Sequence, residues 1–281
     1  MPQQEPVALS IAGSDSGAGA GIQADLKTFS AFGVYGLTVL TVITAQSTSS
    51  VDRVEVLPAD LVANQLGTVS RDFQIAAMKS GALGSAEIIE ALVSFLQDNP
   101  TLPYVLDPVM ISKHGYRLIT DEALKLLRDE LLPRTLIATP NLHEAAELAG
   151  MHAISSLRQM YSAAQAILAL GCRNVIIKGG HSDGDPIDLL LGEAGELELS
   201  QPRIKSNHTH GTGCTFSAAL TACLVRGETL QEAFRHSKAY ITGAIANAGN
   251  FGAGINPVNH FWESMPEFGR IENNGVSRKP G

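Results

Sequence analysis

Short apolar or β-branched runs alternate with longer helical patterns along nearly the whole chain, and this alternation constrains the fold more than any other feature. Parallel strands cannot be joined by a tight turn, so each needs a crossover, usually a helix, before the next. The runs predict strands at Val7–Ala12, Leu37–Thr44, Ile75–Lys79, Tyr104–Val109, Thr135–Ala138 and Asn174–Lys178. Between them Ile22, Leu26 and Phe29 share one helical face, and Ile88, Leu92 and Phe95 share another. Right-handed crossovers then give an α/β fold, a three-layer α/β/α sandwich around a largely parallel central sheet.

After Lys178 two shorter strands, Ile187–Leu191 and Glu196–Leu199, are joined through Gly192 and Gly195, which predicts an antiparallel hairpin extending the sheet edge. Two helices follow, near Gly213–Val225 and Leu230–Asn247. The length of 281 residues is nearly twice an average domain of ~150. No Pro- or Ser-rich linker and no internal repeat divides the chain, so residues 1–264 are expected to form a single domain. The segment 265–281, rich in Gly, Asn, Arg and Pro, is expected to be a loosely ordered tail.

With 44% apolar and 17% charged residues the chain can bury a full core. Its 20 Lys and Arg against 28 Asp and Glu leave a net charge of −8, which argues against nucleic acid or an anionic membrane as a partner. A bound anion must be held locally. No run of 18 apolar residues occurs and the start MPQQEP lacks a basic apolar leader, so a cytoplasmic protein is expected. Cys172, Cys214 and Cys223 are odd in number and lack C-x-x-C spacing, against both a disulfide framework and a zinc site.

Five segments could carry chemistry. Ala12–Gly21 reads A-G-S-D-S-G-A-G-A-G at the carboxyl end of the first strand, where open α/β sheets bind ligands. It departs from the dinucleotide and P-loop patterns, and a plain flexible turn is the alternative. The second, His210–Ala219, sets Gly211, Thr212 and Gly213 before a helix of small residues, where unpaired N–H groups and the helix dipole favour an anion. Cys214 falls in the first turn, where the helix field favours a thiolate that could act as general base; otherwise it is a small helix residue, as Cys172 and Cys223 are read to be.

Asp107, followed by Pro108, should project over the sheet rim, and a metal or a nucleotide could lie against it. Asn141-Leu142-His143-Glu144 after Thr139-Pro140 reads first as a capping box and second, with Asp107, as a pair of rim carboxylates of the kind that hold magnesium phosphates. Lys178 ends another strand beside Gly179 and Gly180, as a phosphate-neutralising charge or as a solvated lysine. His143, His152, His181, His208 and His210 are read as loop residues without a metal.

Together these segments resemble the ribokinase-like superfamily and, within it, the hydroxymethylpyrimidine/phosphomethylpyrimidine kinases of thiamine biosynthesis, over about Val7 to Phe261. The resemblance rests on A-G-S-D-S-G-A-G-A-G-I-Q-A-D-L-K-T-F at 12–29, Ala45-Gln46, D-P-V-M at 107–110, T-P-N-L-x-E-A at 139–145, K-G-G-H at 178–181 and H-G-T-G-C-T-F-S-A-A at 210–219. It implies a homodimeric kinase that uses ATP and Mg2+ and takes a small pyrimidine substrate. Gln46 would recognise the aminopyrimidine ring, with Gly13 and Asp25 contacting the same substrate. Cys214 would take the hydroxymethyl proton, Gly211, Thr212 and Gly213 would form the anion hole, and Lys178 would contact phosphates. Asp107 and Glu144 would organise the magnesium, and Asp107, Thr139 and Asn141 the ATP.

Two positions depart from the family. Ala82 stands where a methionine usually lines the pyrimidine pocket, and Ser47 follows Gln46 where asparagine is frequent. The implied activity is phosphorylation of 4-amino-5-hydroxymethyl-2-methylpyrimidine and then of its monophosphate. A pyridoxal or pyridoxine kinase of the same fold is one alternative, left open by Ala82; a non-catalytic sensor of the pyrimidine phosphate is the other.

Overall fold

The computed structural model describes residues 5–111, 115–180 and 185–265. Nine strands among them form one sheet: β1 (Val7–Asp15), β2 (Tyr35–Gln46), β3 (Val51–Val56), β4 (Ala77–Ser80), β5 (Tyr104–Leu106), β6 (Ile137–Ala138), β7 (Asn174–Ile177), β8 (Ile187–Gly192) and β9 (Gly195–Ser200). They lie in the order β3-β2-β1-β4-β5-β6-β7-β8-β9. In that order the six strands from β2 to β7 run parallel to one another, while β3 pairs antiparallel with β2 at one edge and β8 with β7, then β9 with β8, at the other.

Alternation along the strands divides the core into two layers. Val7, Leu9 and Ile11 of β1 face one side with Ile88 and Leu92 of α3 (Ala86–Asp98) and with apolar residues of α2 (Ala59–Asp72), α4 (Asp121–Leu126), α5 (Leu142–Ala149) and α6 (Leu157–Ala169). Ala8 faces the other side, with Phe29 of α1 (Gly21–Ala31), Phe216 of α7 (Thr212–Val225) and Phe234 of α8 (Leu230–Ala246). This is the expected three-layer sandwich. α7 differs from a surface helix: every residue from Thr215 to Cys223 is buried, because it packs on β1, β4 and β5 and between α1 and α8. Its small side chains permit that approach.

The differences from the sequence reading have local causes. β1 runs on to Asp15 because it stays paired to β2 across a bulge, with Ala12 opposite Leu40 and Ser14 opposite Ile43. β5 stops at Leu106, since Pro108 has no N–H for the ladder; Asp107 is the first residue past the strand, its N–H donating to the Ser80 carbonyl at 3.0 Å. β3 was not predicted: Val-Asp-Arg-Val-Glu-Val at a sheet edge has no buried face to give it an apolar signature. The expected tail beyond Met265 lies outside the described residues.

The chain leaves β1 for β2 and β3 and returns to β4 on the opposite side of β1. The carboxyl ends of β1 and β4 therefore border a topological switch point, where an open sheet leaves a crevice.

Candidate active site

A cavity of about 750 Å³ opens at that end of the sheet, lined from the ends of β1, β4, β5 and β7 and from the start of α7. Its size suits one or two small molecules. The turn after β1 is wound around a single carboxylate: Asp15 Oδ1 accepts the N–H of Gly17 at 2.8 Å, and Oδ2 accepts those of Gly19 at 3.0 Å and Ala20 at 2.9 Å. The turn packs directly on the segment before α7. A side chain at Gly19 would run into the His210 ring, and one at Gly211, whose φ is +78°, into the Gly19 carbonyl. Glycine is required at Gly211 because backbone meets backbone there, and at Gly19 because the imidazole packs directly on the turn.

Gly211 begins α7 without a side-chain cap, so the first amides of a buried helix are aimed at the cavity. Cys214 lies in that first turn and lines the cavity. Sequence reasoning expected the helix field to favour a thiolate there. Burial outweighs it and pushes the thiol up to about 12, with Asp25 and Asp107 adding to the rise and Lys79 opposing it.

Opposite α7 stand the carboxylates. Lys178 donates to Asp107 Oδ1 at 3.0 Å, and Thr139 and Ser217 hydroxyls donate to the Asp107 oxygens at 3.3 and 3.2 Å. Burial opposes the Asp107 charge, but Lys178 and Lys79 outweigh it and hold the carboxyl below its usual range. Glu144 does form the predicted capping box with Asn141, accepting its N–H at 2.8 Å, while the Asn141 side chain accepts from Glu144 N–H at 2.9 Å. It also lines the cavity, so the capping and rim readings hold together. Burial, reinforced by Asp107, pushes Glu144 up to about 7 despite Lys178. Two buried carboxyl groups with hard oxygen donors, the Glu144 charge disfavoured by burial until a cation is near, fit magnesium.

Behind the cavity wall lies a pair that the sequence reading missed. Lys79 of β4 and Asp25 of α1 are both fully buried and joined by two hydrogen bonds, at 2.8 and 2.9 Å; the Ser10 hydroxyl donates to Asp25 at 2.6 Å. Burial alone would strip the Lys79 charge, but Asp25 first and Asp107 after it keep it.

The family model described as phosphomethylpyrimidine kinase matches residues 15–259. The chain belongs to that family. A hydroxymethylpyrimidine/phosphomethylpyrimidine kinase of Haemophilus influenzae is 47% identical over 258 residues, covering 90% of this chain and 96% of its own. The solved phosphomethylpyrimidine kinase from Clostridium difficile 630 is 43% identical, with a TM-score of 0.76, and covers 86% of this chain and 100% of its own. The pyridoxal kinase from Staphylococcus aureus in complex with AMP-PCP and pyridoxal is 34% identical, with a TM-score of 0.85, covering 93% of this chain and 96% of its own.

Within this phosphomethylpyrimidine kinase family fold, the cavity collects most of the predicted residues. Gly13, Gln46 and Ala82 line one part of it, and Asp107, Asn141, Glu144, Lys178, Gly211, Thr212, Gly213 and Cys214 line the rest. Two do not reach it. Asp25, expected to touch the substrate, is sealed behind the wall with its oxygens taken by Lys79 and Ser10. Thr139, expected at ATP, is fully buried and serves Asp107. His143 belongs to the first turn of α5 rather than to a loop, and with His152 it lines the cavity. His181 lies outside the described residues. His210 does lie in the segment before α7, as read, but it is buried, lines the cavity, and bonds to Asp15 at 2.8 Å. Its position heading the G-T-G segment was the available signal.

Proposed function

We propose that the chain transfers the γ-phosphoryl group of ATP to the hydroxymethyl oxygen of 4-amino-5-hydroxymethyl-2-methylpyrimidine, and then to the phosphate of the monophosphate, in thiamine biosynthesis. The observation that carries this reading is the convergence on one cavity of Gln46 and Cys214 with Lys178, Asp107, Asn141 and Glu144 around the start of α7. A hydroxyl beside Cys214 stands at the N-terminus of a buried helix, the position that favours the negative charge of the phosphoryl group in flight.

In this reading Gln46 meets the ring, Gly211, Thr212 and Gly213 receive the phosphoryl oxygens, Lys178 neutralises them and Asn141 meets the nucleotide. Asp107 and Glu144 would hold Mg2+, which screens the phosphate charge when bound. Asp25 and Thr139 act from behind, through Lys79 and Asp107. Alignment and charge stabilisation supply most of the rate in such a transfer.

The kinase is proposed to work in the cytoplasm as one domain over residues 1–264 and as a homodimer. No helix among the described residues is long and apolar enough to cross a membrane.

A second reading, phosphorylation of pyridoxal, is favoured by Ala82, whose small side chain leaves the wall beside Gly13 open. ADP release with MgATP and each of hydroxymethylpyrimidine, its monophosphate and pyridoxal separates the two, compared as kcat/KM. Both pyrimidines are expected to exceed pyridoxal; the reverse order overturns the primary reading, and binding without turnover makes the chain a sensor.

A further inference from the structure

Three side chains from distant parts of the chain meet in the cavity wall through one ring nitrogen. His210 Nε2 lies 2.8 Å from Asp15 Oδ2 and 3.1 Å from the end of the Gln46 amide. The other ring nitrogen, Nδ1, is buried with no hydrogen-bond partner among the described residues, so the hydrogen bonding of the ring passes through Nε2.

The proton on Nε2 is decided by Asp15. That carboxylate already accepts three backbone N–H groups, from Gly17, Gly19 and Ala20, and so has no proton of its own to offer. Burial disfavours its charge, but His210 and those amides prevail and hold the carboxyl below its ordinary range. An acceptor at 2.8 Å requires a donor opposite it, so His210 carries its proton on Nε2.

An Nε2–H in turn decides Gln46. The amide nitrogen facing it at 3.1 Å would set donor against donor, whereas a half-turn of the amide brings Oε1 to the same place, where it accepts a share of the one Nε2–H that is directed chiefly at Asp15. The amide NH2 is then presented to the cavity that Gln46 lines.

We propose that Asp15 and His210 are positioning residues that lock the Gln46 amide with its oxygen held by the imidazole and its NH2 turned to the ligand, so that the site selects heterocycles offering an unprotonated ring nitrogen. This inference rests on the proposed pyrimidine kinase reading. An aminopyrimidine satisfies the pattern, since its ring nitrogen accepts from the amide and its exocyclic amine can donate to the remaining lone pair of Oε1.

The test uses the full chain with His210→Leu, which removes the ring nitrogens and leaves Asp15 its three backbone partners, and His210→Gln, whose amide nitrogen replaces the lost donor. KM for hydroxymethylpyrimidine is expected to rise about tenfold in H210L, the loss of one oriented hydrogen bond. KM for ATP should stay within about twofold, and H210Q should recover most of the loss. An analogue with C–H in place of the ring nitrogen should be discriminated against less by H210L than by the unmodified protein. In a Gln46→Leu background H210L should add less than about twofold, because His210 acts through Gln46.

Equal losses in both KM values, full additivity with Q46L, or undiminished discrimination in H210L would each overturn the proposal. Long-range 15N–1H spectra of the His210 ring need no substrate: a proton on Nε2 is expected in the unmodified protein, and a bare Nε2 sinks the proposal. Absence of turnover of either pyrimidine by the unmodified protein would instead sink the functional reading, leaving the ring spectra to decide this one.

Discussion

Replacing Lys79 by methionine should destabilise the protein by about 3–5 kcal/mol at neutral pH, because it leaves a buried carboxylate without its counter-ion. The magnitude follows from the burial: Asp25 is fully enclosed, and after the substitution only the Ser10 hydroxyl still donates to it. At about 2.1 cal/mol/K of unfolding entropy per residue, a chain of 281 residues should lose about 5–8 °C in Tm. The loss has a definite pH dependence. Burial already raises the Asp25 carboxyl, and without Lys79 it rises further. A group raised in the folded state withdraws stability as pH climbs beyond its unfolded value of about 3.9, so the variant should lose less at about pH 5 than at about pH 8. Calorimetry at both pH values measures this. A second variant, Lys79→Met with Asp25→Leu, should regain most of the stability, since it removes both charges from the core. A Tm within about 2 °C of the unmodified protein for K79M, or a double variant as unstable as K79M, would refute the reasoning.

Cys214→Ala should lower kcat by about 10²–10⁴-fold, the usual share of a general base, with pyrimidine binding within about threefold. Because the thiol is pushed up to about 12, log kcat should climb with pH from about 6 to about 9 as the thiolate fraction grows; a flat profile removes Cys214 as the base. Lys178→Met should cost about 10²–10³-fold in kcat, and a loss under about threefold would take Lys178 off the phosphoryl group. Ala82→Met should narrow the wall beside Gly13 and cut pyridoxal kcat/KM relative to the pyrimidine by about tenfold, and an unchanged ratio would mean that position 82 does not set selectivity.

The parts of the fold legible in the sequence are those where burial follows a simple period. β1 and β7 are buried on both faces and read as continuous apolar runs, and the glycines at 192 and 195 mark the β8–β9 hairpin. β3 escaped because an edge strand with both faces wet carries no apolar period. The site was legible where backbone chemistry leaves a local mark: glycines before α7, the capping box at Asn141 and Glu144, and carboxyl ends of strands. It was illegible where a contact is purely tertiary. Lys79 and Asp25 stand 54 positions apart, and Asp15 and His210 stand 195 apart; neither spacing signals a pair. A lysine closing the apolar run Ile75–Met78 was the local hint, since such a charge stays buried only when paired.

Lys79 also connects the stability of the core to the chemistry of the cavity. It is the charge that opposes the rise of the Cys214 thiol, together with the Gly21 backbone, while Asp25 and Asp107 reinforce that rise. A buried cation behind the first turn of α7 therefore adds to the helix N-terminus in favouring negative charge on the cavity side, whether on sulfur or on phosphoryl oxygen. The small residues of α7 make this arrangement possible: a helix with large side chains could not reach the carboxyl ends of β1, β4 and β5 and still leave Ser217 within 3.2 Å of Asp107. Structural and catalytic roles of Lys79 can then be told apart in one protein. In the double variant K79M/D25L the folding penalty is removed, but so is the cation beside Cys214. Stability should return while kcat stays low, whereas recovery of both would make the ion pair a feature of the core alone.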